Sequence, residues 1–271
     1  MLESILKFTV LGCIQGLTEF FPVSSSGHLG LAEMLLHVQI GKEHGALVEV
    51  ALHAGTLLAV LVFLKNDLLL LFRAAFRPSS VGPESLSDAR GIMRGVFIAT
   101  LPVGLLGIFY REKLESLFLA PWVIGCGFLA TASVLILSRR LPQGRVKASA
   151  VPAWAALAVG CAQMMALVPG ISRSGLTIVA GMTLGMVAKE AGRFSFLLAI
   201  PVIGGAAILK AGDIVHAPSA ELIPLGVGVL TSFLFGLLAL RYLTLLLRRG
   251  QLSCFAWYLV PLGLLTLYFS A

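Results

Sequence analysis

Charged residues are scarce in this chain. They make up 12% of its 271 residues, whereas 58% of the residues are hydrophobic. The mean hydropathy of +0.97 lies far outside the range of soluble globular proteins and is typical of integral membrane proteins. The composition therefore excludes a water-soluble domain, and lipid is the expected solvent.

The sequence also lacks the alternation of apolar and polar residues that the strands of a membrane barrel show. Stretches such as LLAVLVFL (57–64) and VIGCGFLATASVLIL (123–137) are apolar almost without interruption. Apolar runs of about 17 to 25 residues suit helices that cross a hydrocarbon core of about 30 Å. We therefore expect an all-α integral membrane protein, a polytopic helical bundle that forms one membrane domain over residues 1–271.

Two further absences narrow the function. The four cysteines are far apart and form no C-x-x-C motif, which favours packing over metal or redox chemistry. The N-terminal segment has no small-residue cleavage site, so we expect it to be retained rather than removed as a signal peptide. The net charge of +7 does not indicate a nucleic-acid partner, because the basic residues fall in short segments between apolar runs.

The basic segments predict the topology. Six full spans are expected, at residues 47–64, 95–109, 121–138, 194–209, 222–247 and 253–271. Basic residues cluster in segments 65–94 and 139–147, around 189–193 and at 248–249. If these segments are cytoplasmic, the sides alternate consistently through the six spans. Arg77 and Arg145 should then be cytoplasmic, and Glu115 and Asp213 periplasmic.

Two pieces remain outside these spans, residues 1–46 and 148–193. Each must begin and end on one side of the membrane, and each carries Gly, Ser and Pro near its middle. Such pieces are expected to be re-entrant hairpins whose helices break at the tip, a form tolerated at membrane depth only inside protein or beside a wet cavity. Entering from opposite faces, their tips would meet near the midplane.

The two pieces resemble each other. Aligning GCIQGLTEFFPVSSSG (12–27) with GCAQMMALVPGISRSG (160–175) at an offset of 148 gives six identities in sixteen positions. Inverted repeats with broken helices and a site at their interface are a known membrane architecture. We therefore predict two inverted-topology repeats, at about 1–147 and 148–271.

The repeats differ at their polar residues. Ser25 of the first corresponds to Arg173 of the second, while Glu19 and His28 correspond to leucines. If the tips meet, an arginine, a glutamate, a histidine and several hydroxyl groups converge in an apolar region.

Arg173 is the expected centre of a phosphate site. A charge at membrane depth needs an anionic partner, and the arginine fork suits phosphate or carboxylate. Hydroxyl groups and glycines around it would complete a pyrophosphate cradle, with Ser172, Ser174, Thr177, Ser26, Gly170 and Gly175.

The first tip offers catalytic chemistry. Ser25 is a candidate nucleophile, His28 its candidate proton partner, and Glu19 could orient the histidine, bind a divalent ion or act as acid or base. The alternatives are structural: the serines could cap helices, His28 could bond backbone, and Glu19 could pair with Arg173.

Three segments carry a family resemblance: QGLTE (15–19), PVSSSGH (22–28) and PGISRSGLT (169–177). They resemble the signature motifs of the bacterial undecaprenyl pyrophosphate phosphatase family, and the likeness extends through LVEVALHAGTLLAVLVF (47–63) and RFSFLLAIPVIGGA (193–206). The resemblance implies a multi-pass inner-membrane enzyme that hydrolyses C55 polyprenyl pyrophosphate for peptidoglycan lipid-carrier recycling, with a periplasmic active site and a link to bacitracin resistance.

The resemblance also implies a cofactor, Mg²⁺ or Ca²⁺. Glu19 is one candidate metal ligand, and Glu49 matches a recurrent acidic position of the family and is the second. Gln15 stands where many members have Glu, although the family pattern admits Gln.

Two other functions are compatible with the pattern. One is a polyprenyl-phosphate transporter or flippase, because inverted repeats and broken helices are common in transporters; the other is a non-catalytic lipid-binding protein. A nucleophile on one tip and a cation on the other favour hydrolysis. The GxxxG patterns Gly12/Gly16 and Gly181/Gly185 allow close helix contacts, either within the chain or in a homodimer.

Overall fold

A computed structural model describes residues 2–35, 45–110, 117, 120–210 and 222–270. Within these ranges the chain forms eleven α-helices and no strand, apart from one isolated parallel bridge between Val146 and Met186. The helices are α1 (Leu2–Phe20), α2 (Ser25–Leu35), α3 (Gly45–Phe63), α4 (Lys65–Phe76), α5 (Pro83–Phe109), α6 (Pro121–Leu137), α7 (Ala153–Met165), α8 (Arg173–Thr183), α9 (Ala188–Lys210), α10 (Leu222–Arg248) and α11 (Ala256–Ser270). The all-α prediction is confirmed.

Five helical stretches of the described chain are long and apolar enough to cross a membrane. They are Pro83–Phe109, Pro121–Arg140, Ala188–Leu209, Leu222–Arg248 and Leu252–Ser270. Helices α3 and α4 would form a sixth span if counted together, although they meet at an angle of 76°. The polytopic bundle is confirmed, and each predicted span corresponds to one of these elements.

One boundary prediction was wrong. The span expected to begin at residue 95 belongs to a helix that begins at Pro83. Proline is well suited to the first turn of a helix, so the helix extends through a polar segment that hydropathy alone assigns to a loop.

Small residues let the helices approach closely. A Cβ atom added at Gly12 of α1 would lie 2.0 Å from the Thr231 hydroxyl oxygen, and one at Gly16 would lie 2.6 Å from the Ser232 carbonyl oxygen. Gly181 likewise lies against Met186 within the chain. Both GxxxG patterns therefore serve contacts inside the chain.

Residues in or directly after three of the four predicted basic segments contact one another. Arg193 Nη2 lies 2.5 Å from Asp67 Oδ1, which joins the segment around 189–193 to α4. Ser149 donates a 2.8 Å hydrogen bond to Asp88 of α5, and the Ala148 backbone N–H donates a 3.2 Å hydrogen bond to Glu190. These contacts bring together segment 65–94, the residues that follow segment 139–147, and the residues around 189–193. Glu115 and Asp213, which are predicted to be periplasmic, lie outside the described residues.

Two helix breaks lie where the sequence predicts them. The chain leaves α1 at Phe20 and resumes at Ser25 in α2; it leaves α7 at Met165 and resumes at Arg173 in α8. Helices α2 and α8 begin at Ser25 and Arg173, two positions that differ by the repeat offset of 148.

Candidate active site

The two helix breaks contact each other. Ser174 of α8 donates a 3.0 Å hydrogen bond to the Phe21 carbonyl in the first break. A Cβ atom added at Gly27 would lie 3.0 Å from the Gly170 Cα atom. Thr131 of α6 supports the second break, because its hydroxyl donates to the Gly170 carbonyl and accepts from the Ser172 N–H. The two helix breaks are therefore in direct contact, as the sequence predicts for the two tips.

Helices α2 and α8 begin in the same way. The hydroxyl of Ser24 accepts a hydrogen bond from the Gly27 N–H at 3.4 Å, and the hydroxyl of Ser172 accepts one from the Gly175 N–H at 3.1 Å. Each capping serine also lies 3.2 Å, oxygen to oxygen, from the serine two residues later. These serines cap helices, as the structural alternative predicted, and the two capped N-termini point their positive ends toward one region.

Glu19 is the centre of the polar contacts. It is buried, with 7% of its surface exposed, and its Oε1 atom forms an ion pair with Arg173 Nη2. Its Oε2 atom accepts hydrogen bonds from the Ser25 hydroxyl at 2.7 Å and from Gln15 Nε2 at 3.1 Å. His53 Nε2 lies 3.6 Å from the same oxygen. Glu19 therefore joins the candidate nucleophile to the candidate phosphate-binding arginine.

These groups line a cavity of about 280 Å³. Its polar lining consists of Thr18, Glu19, Ser24, Ser25, Ser26, Glu49, His53, Gln163, Ser172 and Arg173. Its apolar lining comes from α5, from α9 and from the second helix break, with Val103, Gly107, Val202, Ile203, Ala206, Leu209, Ala166, Leu167 and Ile171. A cavity lined by both polar and apolar residues suits an amphiphilic ligand.

Six of the predicted site residues line this cavity, namely Glu19, Ser25, Ser26, Glu49, Ser172 and Arg173. Four predicted pyrophosphate ligands lie behind its wall instead. Ser174 bonds the Phe21 carbonyl, Thr177 bonds Ser195 at 2.7 Å, Gly175 is buried at the cap of α8, and Gly170 packs on α6. These four residues therefore contact other parts of the protein and support the two helix breaks.

His28 is not brought to Ser25. Its Nδ1 atom lies 2.7 Å from the Ser24 carbonyl oxygen, and its Nε2 atom lies 2.9 Å from the Tyr258 hydroxyl oxygen. The Ser25 hydroxyl donates to Glu19. The backbone-bonding alternative for His28 is the one the geometry favours.

His53 lies beside Glu19 and was not among the predicted site residues, and neither were the cavity-lining residues Thr18, Ser24 and Gln163. His53 lies four positions after Glu49 on α3, so the two residues share one helix face. That spacing was the available signal, because any helix that presents Glu49 to the site also presents His53.

A divalent cation in this cavity would need acidic residues as its ligands. In the described part of the chain, no group of three or more His, Cys, Asp or Glu side chains could hold a metal ion. Glu19 and Glu49 do line the same cavity. Because Mg²⁺ is often held by one or two carboxylates together with substrate phosphates, these residues fit a cation that the substrate helps to bind.

Comparison with known proteins identifies relatives over nearly the whole chain. A family model described as bacitracin resistance protein BacA matches residues 8–265. Undecaprenyl-diphosphatase 1 of Bacillus cereus is 37% identical over 267 residues, which cover 98% of this chain and 97% of the relative. The undecaprenyl-diphosphatase of Rubrobacter xylanophilus is 36% identical with the same coverage. That of Methanosphaera stadtmanae is 34% identical over 275 residues, 98% of each chain.

Proposed function

This chain belongs to the bacitracin resistance protein BacA family, and on that premise we propose that it is an undecaprenyl-diphosphatase. It removes the terminal phosphate of undecaprenyl pyrophosphate and leaves undecaprenyl phosphate, the lipid carrier reused in peptidoglycan synthesis. One observation supports this most: the Ser25 hydroxyl and the Arg173 guanidinium meet on the two oxygens of Glu19, at the wall of one cavity.

We place the substrate by matching its pyrophosphate to the polar lining of the cavity and its isoprenyl chain to the apolar lining. The arginine fork has five N–H donors, so Arg173 can hold Glu19 and a pyrophosphate together. The positive ends of α2 and α8 favour an anion at the same place. The apolar residues between α5 and α9 suit the first isoprene units, and Gly107 leaves open space there.

The proposed reaction begins at Ser25. Its Oγ atom attacks the terminal phosphorus, its proton passes to Glu19, and the bond from that phosphorus to the bridging oxygen breaks. Undecaprenyl phosphate leaves with the electron pair of that bond. Water then hydrolyses the phosphoserine, which releases inorganic phosphate and restores the hydroxyl. Arg173 stabilises the charge that develops on the transferred group.

We also propose that Glu19 and Glu49 bind Mg²⁺ or Ca²⁺ together with the pyrophosphate. When bound, the cation neutralises charge on the phosphate oxygens. Gln15 holds Glu19 in place without adding a negative charge, because its amide donates to Oε2.

The proposed architecture is a pair of inverted repeats with re-entrant tips, at about 1–147 and 148–271. The starts of α2 and α8 at offset 148 and the matching serine caps support it. A homodimer would use surfaces other than Gly12 and Gly16, because these residues pack against α10.

We propose that the protein lies in the inner membrane with its site open to the periplasm. On α9, the cavity-lining residues run from Val202 to Leu209, which are nine and sixteen residues from Arg193 at the basic end, or about 14 to 24 Å along a helix. If the basic end is cytoplasmic, the cavity extends from the middle of the helix toward the opposite face.

Phosphate release by the purified protein tests the function. Detergent-solubilised protein should release inorganic phosphate from undecaprenyl pyrophosphate in many turnovers. A flippase would release none, and so would a lipid-binding protein. Undecaprenyl monophosphate is the matched control substrate and should release no phosphate.

A further inference from the structure

The contacts of His28 fix which of its nitrogens carries the proton. Nδ1 lies 2.7 Å from the Ser24 carbonyl oxygen, and a carbonyl can only accept, so Nδ1 is the donor. In a neutral imidazole Nε2 is then an acceptor, and the Tyr258 hydroxyl 2.9 Å away donates to it. The Tyr258 ring also stacks on the imidazole, with centroids 5.6 Å apart and planes inclined by 18°.

The carbonyl that His28 holds belongs to an unusual turn. Ser24 has φ of +71°, a conformation that residues with a side chain rarely adopt. Its carbonyl also accepts the His28 backbone N–H at 3.3 Å, so one residue holds it twice. Ser25 follows directly, and its hydroxyl lies 2.7 Å from Glu19. The angle at Ser24 thus determines where the Ser25 hydroxyl lies.

The second break provides an internal comparison. Its capping residue, Ser172, has an ordinary φ of −80°. Leucine stands at 176, the position that corresponds to His28. The side-chain bond to the capping carbonyl therefore occurs in the break with the strained turn and with the candidate nucleophile.

We propose that Tyr258 is a positioning residue for Ser25. Its hydroxyl keeps His28 in the Nδ1–H tautomer, and His28 holds the Ser24 turn that directs the Ser25 hydroxyl to Glu19. Neither Tyr258 nor His28 touches the reacting atoms. The inference rests on the proposed function in one respect, namely that Ser25 acts as the nucleophile.

A double-mutant cycle tests the connection through His28. Tyr258→Phe keeps the stacked ring but leaves Nε2 without its donor, so the Nδ1–H tautomer that bonds the Ser24 carbonyl is no longer favoured. We expect kcat to fall on the order of tenfold with KM nearly unchanged, because the turn moves the nucleophile rather than the binding groups. In a His28→Leu background, which copies the residue at 176, adding Tyr258→Phe should have no further effect.

The control is Tyr268→Phe, on the same helix with an exposed ring against Phe269. It should leave kcat unchanged. An unchanged kcat in Tyr258→Phe, or an equal loss in the His28→Leu background, would overturn the proposal.

A measurement without substrate separates this inference from the proposed function. Imidazole ¹⁵N NMR of labelled protein, with the His28 signals assigned by their loss in His28→Leu, reports the tautomer directly. We expect neutral His28 with Nδ1–H in the wild type and an altered pattern in Tyr258→Phe but not in Tyr268→Phe. An Nε2–H tautomer in the wild type would overturn the inference, whereas absent phosphate release would overturn the proposed function and leave the effect of Tyr258 on the His28 tautomer standing.

Discussion

Glu19 and Arg173 lie 154 positions apart in the chain and form an ion pair where the two helix breaks meet. The pair accounts for both charges, because each would be costly to bury alone in an apolar surrounding. It also holds the carboxylate in place, so that Oε2 is directed toward Ser25.

The first prediction concerns the guanidinium group of Arg173, compared with the ammonium group of a lysine at the same position. Arg173→Lys keeps the charge but loses the fork that can hold Glu19 and a pyrophosphate together. We expect kcat/KM for phosphate release to fall on the order of a hundredfold or more. Arg249→Lys is the matched control, because Arg249 is exposed and belongs to the basic segment 248–249. This variant should retain normal activity. Near-normal turnover in Arg173→Lys would mean that a point charge is sufficient.

The second prediction concerns the packing of the second break. A Cβ atom at Gly170 would lie 2.2 Å from the Ile124 carbonyl oxygen, and the residue has φ of +87°. Gly170→Ala should therefore lower the free energy of unfolding by about 2 kcal/mol or more. Gly104→Ala is the control, because nothing lies within 4 Å of its added Cβ atom. Thermal unfolding in detergent compares the two, and equal melting temperatures would contradict the close packing at Gly170.

The third prediction concerns the cation. A chelator should abolish phosphate release, and added Mg²⁺ or Ca²⁺ should restore it. Glu49→Gln should raise the Mg²⁺ concentration needed for half-maximal activity by about tenfold or more. Glu84→Gln, on the exposed first turn of α5, is the control. If Glu49→Gln and the wild type need the same Mg²⁺ concentration, Glu49 is not a ligand.

The fourth prediction concerns topology. In a cysteine-free background, single cysteines at positions 77 and 145 should react with an impermeant reagent only from the cytoplasmic side. Cysteines at 115 and 213 should react only from the periplasmic side. Labelling of 77 and 115 from the same side would contradict the inverted repeats.

The fold followed from the sequence largely because hydropathy decides it. Continuous apolar runs must become helices in lipid, and the internal repeat aligned the two helix breaks before any contact was known. Helix α5 departed from this pattern, because its first turns are polar and leave the apolar region. Hydropathy identifies only the apolar part of a helix, so it does not show where a helix with polar first turns begins.

The sequence predicted most of the residues that form the site, but not which of them contact each other. The sequence placed Glu19, Ser25 and Arg173 together, because the predicted repeat aligns the two helix breaks near which these residues lie. It assigned His28 to Ser25 because the two are three residues apart, whereas the imidazole bonds the carbonyl four residues earlier, as His53 does with Glu49. Tyr258 has no signal in the sequence, because its contact with His28 spans 230 positions.

The central claim is that Ser25, held on Glu19, is the nucleophile that opens the pyrophosphate. Turnover of undecaprenyl pyrophosphate by Ser25→Ala tests it most directly, with Ser26→Ala as the neighbouring control and thermal unfolding to show that both variants are folded. The account predicts that Ser25→Ala binds substrate but releases phosphate at less than about a hundredth of the wild-type rate, while Ser26→Ala is affected more mildly. Substantial turnover without the Ser25 hydroxyl would contradict the account and favour direct attack by water.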